Sequence, residues 1–532
     1  MEHVSCDILV IGSGAAGLRA AISARATGLD VCVLSKAAPG KSTCTGFSAG
    51  VLGGARGANP SDDHREQTLV SGRGINQREL VEILAEESPG RLDELVGWGI
   101  KAEFRNGFLF CKGRPPLLGE EIVRCLIRKN VEIGTRFLGN LTVAHLVMDN
   151  GAAGLIGRRG PQGEWVAFTA GAVVLATGGA SALYLRHDNP RRMLGDGCRL
   201  ALDAGAVLRD MEFVQFFPVC LAEPGHAPMV IPPRLADGGK LVNGQGENIL
   251  EKYGIAERPA AARARDRLSQ ALFQEIYRDG RQVFLDLRGL TEEKWNVDPF
   301  SALMRPILEG RYGVKDRPLR VAPAAHHTMG GVRIDGGGAS SVAGLFAAGE
   351  VCGGLHGANR LGGNALSETL VFGARAGEAA AAWAKAGCGR DPKAVLRRLH
   401  EAFFAGEGAG PAVPDLLKTL RGVMWEGAGI IRNRAGLTRA LISVREIREV
   451  SESIPVSGSA NPGLAIELRS AARVAGLIIE GALRRLESRG AHYREDFPNQ
   501  NDEEWLGHLQ VRAVPGREDE WRFAGLKDNN PG

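Results

Sequence analysis

Six residues near the start of the chain, Gly12-Ser13-Gly14-Ala15-Ala16-Gly17, have the types and spacing that hold a pyrophosphate. In a G-x-G-x-x-G turn between a strand and a helix, the first glycine permits the tight turn, the second lets backbone approach the phosphates, and the third permits close packing. The helix N-terminus then faces the anion. The apolar run Ile8–Ile11 precedes this turn, Leu18–Ala26 reads as the helix, and a second strand, Val31-Cys32-Val33-Leu34, follows at the distance the motif needs. The acidic residue usual at the end of that strand is replaced by Ser35-Lys36, whose hydroxyl can still bond a ribose. Two further strand-to-glycine turns, Val173–Gly179 and Gly344–Glu350, can close around the same extended cofactor. There is no second G-x-G-x-x-G, so a separate nicotinamide site is not expected.

These turns require a parallel sheet covered by helices. Apolar strand, glycine turn and helix alternate from residue 6 to about 211, the α/β pattern. Residues 212–328 are richer in Pro and charge and carry an amphipathic helix signal at Arg265–Arg278, which suits an inserted α+β capping domain. Glycine-rich α/β sequence returns at Met329–Ala384, and apolar residues then recur at steps of three and four, as in Leu468, Ala471, Ala475, Ile478 and Ala482. The expected organisation is a discontinuous Rossmann-like domain (1–211 and 329–395), a cap (212–328), a helical bundle (396–500) and a C-terminal tail (501–532).

At 532 residues, with 44% hydrophobic and 24% charged residues, the chain has the composition of a multidomain globular enzyme. A formal net charge of +4 without a basic run gives no reason to expect nucleic acid or anionic lipid. The nine cysteines, at 6, 32, 44, 111, 125, 198, 220, 352 and 388, form no C-x-x-C pair and no spacing for zinc or an iron–sulfur cluster, so no metal site is expected. The N-terminus enters a strand at once, leaving no room for a secretory signal, and no stretch approaches 20 apolar residues. A cytoplasmic location is the resulting expectation.

Beyond these features the sequence resembles the flavoprotein subunits of succinate dehydrogenase and fumarate reductase, a family that includes L-aspartate oxidase. The resemblance spans nearly the whole chain. It rests on Gly12–Gly17 with Ser35-Lys36, Ala176–Gly179, Gly195-Asp196-Gly197, Asp210–Phe216, Arg265-Asp266, His326–Gly331, His356–Leu366 and Ser488–Arg494. It implies FAD held by Gly12, Ser13, Gly14, Ala15, Ala16, Gly17, Ser35, Lys36, Ser42, Thr43, Gly50, Thr177, Gly178, Asp196, Glu350, Arg360, Ala365 and Leu366. Several members attach FAD through a histidine after Arg-Ser. Here the text is Lys41-Ser42-Thr43, which implies noncovalent FAD.

The resemblance also assigns the proton donor to Arg265 and the grip on one substrate carboxylate to His326 and Arg360, with His327 able to share it. A guanidinium is a poor acid in water, so this role needs a desolvated site. At the other end of the pocket the pattern departs. Relatives read Gln-Phe-His-Pro-Thr where this chain has Gln215-Phe216-Phe217-Pro218-Val219, and counting back from Gly238-Gly239 puts Ile231-Pro232 in place of a Thr-Glu pair. Burying a second carboxylate there unpaired would cost several kcal/mol. His226, in the longer intervening loop, could restore a polar contact.

The expected activity is therefore FAD-dependent oxidoreduction at a CH–CH (or CH–NH) bond next to a carboxylate or carbonyl, with succinate, fumarate and aspartate disfavoured. One alternative is an electron-transfer subunit, with an iron–sulfur partner. The other is ordinary fumarate reductase or L-aspartate oxidase activity, should the ungapped register be wrong.

Overall fold

The computed structural model describes residues 1–54, 60–149, 151–160, 163–387, 413–454 and 461–526. Its central sheet grows from uninterrupted apolar runs, as parallel strands covered on both faces require. Strands Arg136–Leu138, Val31–Leu34 and Glu2–Ile11 lie side by side in parallel. The long strand Trp165–Leu175 pairs in parallel with Glu2–Ile11 along its length and with Leu345–Ala347 at its C-terminal end. Its first half also carries the antiparallel pair Ala152–Arg159 and Leu141–Asp149. Ile8 to Ile11, Val31 to Leu34 and Val173 to Leu175 are all buried.

Helix Ala15–Arg25 leaves the end of the first strand and packs along helix Asn364–Ala386. The approach is close enough that a Cβ on Gly377 would sit 2.2 Å from the Ala20 carbonyl oxygen. Two stretches far apart in sequence, both expected in the first domain, are thereby joined.

The cap is built on an antiparallel sheet in the order Val214–Leu221, Leu319–Thr328, Val283–Asp286, Lys240–Asn243. Short helices Pro233–Gly238 and Ala260–Arg263, together with Arg265–Phe273 and Pro299–Tyr312, cover it around a separate apolar core. The segment expected as a helix over Arg265–Arg278 is α-helical to Phe273 and widens into a π turn over Gln274–Arg278.

Helices Val413–Gly427, Arg434–Ser453 and Pro462–Arg484 form the helical section. The stretch expected as a tail instead contains a hairpin, Gly507–Arg512 with Glu520–Gly525, whose first strand pairs with Leu208–Arg209. Beneath it lies a buried ionic cluster. Arg485 Nε donates to Glu212 Oε1 at 2.6 Å, Arg489 Nε to Glu487 Oε1 at 2.7 Å, and His508 Nδ1 lies 2.6 Å from Asp210 Oδ2. Among the described residues no helix is long and apolar enough to cross a membrane, and the eight described cysteines are free.

Candidate active site

A cavity of about 780 Å³ runs from the Gly12–Gly17 turn to the cap. The three motif glycines answer to different constraints. A Cβ on Gly12 would lie 2.0 Å from the Ala176 carbonyl oxygen, and one on Gly17 would lie 2.0 Å from that of Gly12. At Gly14 the nearest atom, Thr45 Oγ1, is 3.6 Å away. Packing therefore demands Gly12 and Gly17, whereas the space over Gly14 stays open for a ligand, and Gly17 is not in the cavity wall. Gly50 also lies outside the wall, with φ of 63° and the Cys111 Cβ 2.9 Å from where its own would be. Every other residue expected to hold the cofactor lines the cavity.

Ser35 and Lys36 follow the second strand, and both line the cavity. The Ser35 hydroxyl donates to the Ala37 carbonyl at 2.8 Å. Lys36 Nζ donates to Asp196 Oδ2 at 2.6 Å and to Glu467 Oε1 at 3.1 Å. Burial alone would raise the Asp196 pKa, but the Lys36 ammonium holds it below the ordinary value. Asp196 Oδ1 is left without a partner, as are Thr177 Oγ1, Arg360 Nε and His327 Nε2. All four residues line the cavity. Buried polar atoms are paired as a rule, so a polyhydroxylated, phosphorylated cofactor fits this set.

Glu350 closes the middle of the cavity, accepting from the Thr328 amide at 3.1 Å. Burial pushes its carboxyl up to about 7, against that hydrogen bond. A Cβ on Gly179 would fall 2.2 Å from its Oε1, so this glycine makes room for the carboxylate.

At the cap end, Arg265 opens its helix with its side chain buried, while the neighbouring Asp266 turns away to Arg73 at 3.1 Å. Arg265 Nη1 donates to Gln215 Oε1 at 3.0 Å, and its guanidinium lies 5.0 Å from the centre of the Phe217 ring. Burial, then the charge of Arg360, lowers its pKa to about 9. Arg360 is lowered to about 10, again by burial. Gln215 Nε2 donates to Asn359 Oδ1 at 2.6 Å and to the Arg360 carbonyl at 3.0 Å, so one amide ties the two arginine-bearing segments together.

His326 stands at the cavity with Nδ1 2.6 Å from Asp188 Oδ2 and its ring edge-on to Phe217, centroids 5.3 Å apart. Burial lowers its pKa and Asp188 opposes that shift. Asp188 also lines the cavity. Neither Asp188 nor Gln215 was singled out as a site residue in the sequence. Gln215 sits in the Asp210–Phe216 motif, whereas Asp188 lies in an irregular loop with no spacing signal. His327, beside it, is buried with its pKa well below the ordinary value through burial and then Arg360.

Phe217 lines the cavity, but Ile231 does not; it is fully buried in the cap core. Pro232 N-caps helix Pro233–Gly238, and the neighbours that reach the cavity are Met229, Val230, Pro233 and Arg234. The position matched to the lost threonine thus offers neither a polar group nor a wall. His226 lines the cavity near Arg311, 3.5 Å from its Nη2.

His327, His356 and Glu368 bring one ligand atom each within 4.8 Å of one another. His356 Nε2 already bonds Glu368 Oε2 at 2.9 Å, and the positive charge of Arg360 that lowers the His327 pKa also repels a cation, so this cluster is a poor cation site.

Residues 7–366 match the family model for an FAD binding domain, and residues 417–523 match the fumarate reductase flavoprotein C-terminal model. The chain is a member of the fumarate reductase and succinate dehydrogenase flavoprotein family. The fumarate reductase flavoprotein subunit of Mycobacterium tuberculosis is 33% identical over 95% of this chain and 94% of its own. L-aspartate oxidase of Streptomyces coelicolor is 32% identical over 97% of this chain and 92% of its own. Among solved structures, FrdA of E. coli quinol fumarate reductase superposes with a TM-score of 0.88 at 28% identity, covering 100% of this chain and 98% of that one. This family member is accordingly an FAD-dependent oxidoreductase, with the architecture expected from its sequence.

Proposed function

We propose that this flavoprotein interconverts an α,β-unsaturated monocarboxylate, or a related enone, with its saturated form. The reading is carried by Phe217, whose ring stands between the Arg265 guanidinium and the His326 imidazole. An apolar ring thus fills the place where a carboxylate-binding side chain would stand.

FAD, which Gly12, Gly14, Thr177, Asp196 and Glu350 would hold, would supply hydride exchange with the substrate. The remaining work belongs to side chains. Arg360 presents a planar fork and His326 an imidazole to the substrate carboxylate, which polarises the adjacent double bond. Arg265, desolvated and beside the charge of Arg360, gives up a proton more readily than an arginine in water and delivers it to the α carbon. Asp188 fixes the ring of His326, and Gln215 fixes Arg265 relative to Arg360. Arg265 and Arg360 are buried, which keeps bulk water from their guanidinium groups.

A pure electron relay has no use for Arg265, His326 and Arg360 around one cavity, which speaks for an enzyme. The names of the relatives favour a second reading, fumarate reduction or aspartate oxidation. The discriminating experiment is reoxidation of the anaerobically reduced protein by fumarate, crotonate and cinnamate. A second carboxylate without a partner costs about 3 kcal/mol, so fumarate should be over a hundredfold poorer in kcat/KM than the best monocarboxylate. Fumarate outperforming every monocarboxylate would establish the second reading instead.

A further inference from the structure

The cavity does not end at Phe217. It opens past Met229 and Tyr312 into an adjoining groove walled by Leu117, Leu303, Pro306, Ile307 and Glu120, whose carboxylate lies 3.5 Å from Lys41 Nζ, and Arg311 borders both spaces. On the same helix, Pro299–Tyr312, Arg305 pairs with Glu292 at 2.6 Å and with Glu309 at 2.7 Å. Arg311, exposed in the last turn, has no carboxylate partner among the described residues; its neighbours are His226 Nδ1 at 3.5 Å and the Tyr312 ring. Arg114 across the groove has no carboxylate partner among them either. The same holds for Arg234 and Arg263 along the cavity wall, which lie on helices joined by a hydrogen bond from the Ala260 amide to Asp237 Oδ1 at 3.2 Å.

Arg311 stands where the cavity and the groove meet, with no carboxylate of the described residues beside it, so an anionic group of a ligand can pair with it there. The geometry points to an elongated substrate: an unsaturated acid whose carboxylate meets Arg360 and His326, whose apolar middle follows the groove, and whose far end carries an oxyanion against Arg311. This inference rests on the reading of the substrate given above and extends it. Fumarate is too short to use the second site, since its two carboxylates are separated by two carbons.

The test is a ligand series on the oxidised, FAD-loaded protein, with dissociation constants read from the change in the flavin absorbance. The ligands are trans-2-alkenoates of six to twelve carbons ending in a methyl, a carboxylate or a phosphate. A charge-assisted hydrogen bond at Arg311 should make an anion-ended ligand of the right length about ten- to a hundredfold tighter than its methyl-ended counterpart. Arg311→Gln should collapse that ratio towards one, and Arg311→Lys should restore part of it. A preference for phosphate over carboxylate would name the oxyanion. Equal affinity of methyl-ended and anion-ended ligands at every length would overturn the inference, as would a ratio that survives Arg311→Gln. Neither result would touch the monocarboxylate reading. That reading fails separately, if methyl-ended acids neither bind nor reoxidise the reduced protein.

Discussion

Asp188 Oδ2 lies 2.6 Å from His326 Nδ1, so the carboxylate fixes which face of the imidazole turns towards the substrate. It also opposes the fall in the His326 pKa that burial causes. Removing the charge while keeping the shape, with Asp188→Asn, should lower that pKa further. Where the imidazolium grips the substrate carboxylate, kcat/KM falls as pH rises through the His326 pKa, and the variant should show this fall at lower pH. At neutral pH the loss should be at least tenfold, about 1.4 kcal/mol. It should appear mainly in KM, because His326 binds rather than protonates. A pH profile of kcat/KM for both proteins checks this.

Arg265 should act in its protonated form during reduction. Its pKa of about 9 means that the reductive rate declines above that pH, while the reverse dehydrogenation, which needs the neutral guanidine, gains as pH approaches it. Arg265→Gln should lose on the order of 10²- to 10⁴-fold in kcat in either direction and keep its FAD. Single-turnover flavin absorbance across pH 6 to about 10, with flavin content measured alongside, gives both readouts.

Glu350 should make the FAD-free protein sensitive to pH. Its carboxyl titrates near 7 when folded, against an ordinary value of 4.5. Between those values the folded chain holds a proton that the unfolded chain has lost, so stability falls as pH rises across the window. The full effect is about 3 kcal/mol, complete above the folded pKa. Glu350→Gln should remove this slope, which thermal unfolding of the FAD-free protein at pH 5 and pH 8 would show.

The glycine motif should separate into two classes. Gly14→Val should abolish FAD binding and leave the fold intact, since the nearest protein atom to a Cβ there is 3.6 Å away. Gly17→Ala should destabilise the protein itself, because its Cβ would meet the Gly12 carbonyl oxygen at 2.0 Å. Circular dichroism and bound-flavin content together distinguish the two. In the unaltered protein, with Thr43 in place of an attaching histidine, denaturation in guanidinium should release all the flavin.

What the sequence made legible was whatever depends on local pattern. Ile8–Ile11, Val31–Leu34 and Val173–Leu175 read as buried parallel strands because nothing polar interrupts them, and the glycine turn between the first two carries its own geometry. Arg265, His326 and Arg360 could be named through resemblance, and the structure brings them to one cavity from a helix, a strand and a loop. Residues without a pattern were harder. Counting back from Gly238-Gly239 placed Ile231 at the pocket, yet direction is set by the chain entering helix Pro233–Gly238, and the side chain turns into the cap core. Asp188 gave no signal because its partner lies 138 residues away. Residues 507–525 read as a tail because the first strand of their hairpin pairs with Leu208–Arg209, far away in the sequence, and no local pattern marks that partner.

The ionic cluster that joins Asp210 and Glu212 to Arg485 and His508 has a consequence for how the protein is made. Both carboxylates lie where the chain passes from the first domain into the cap, and the side chains that pair with them stand 273 and 298 residues further along the chain. Until those residues have been synthesised, two acidic groups face an apolar interior without their native partners, and the junction lacks the contacts that close it. Truncation after Arg484 should therefore leave a chain that is synthesised to that point and then cleared by quality control.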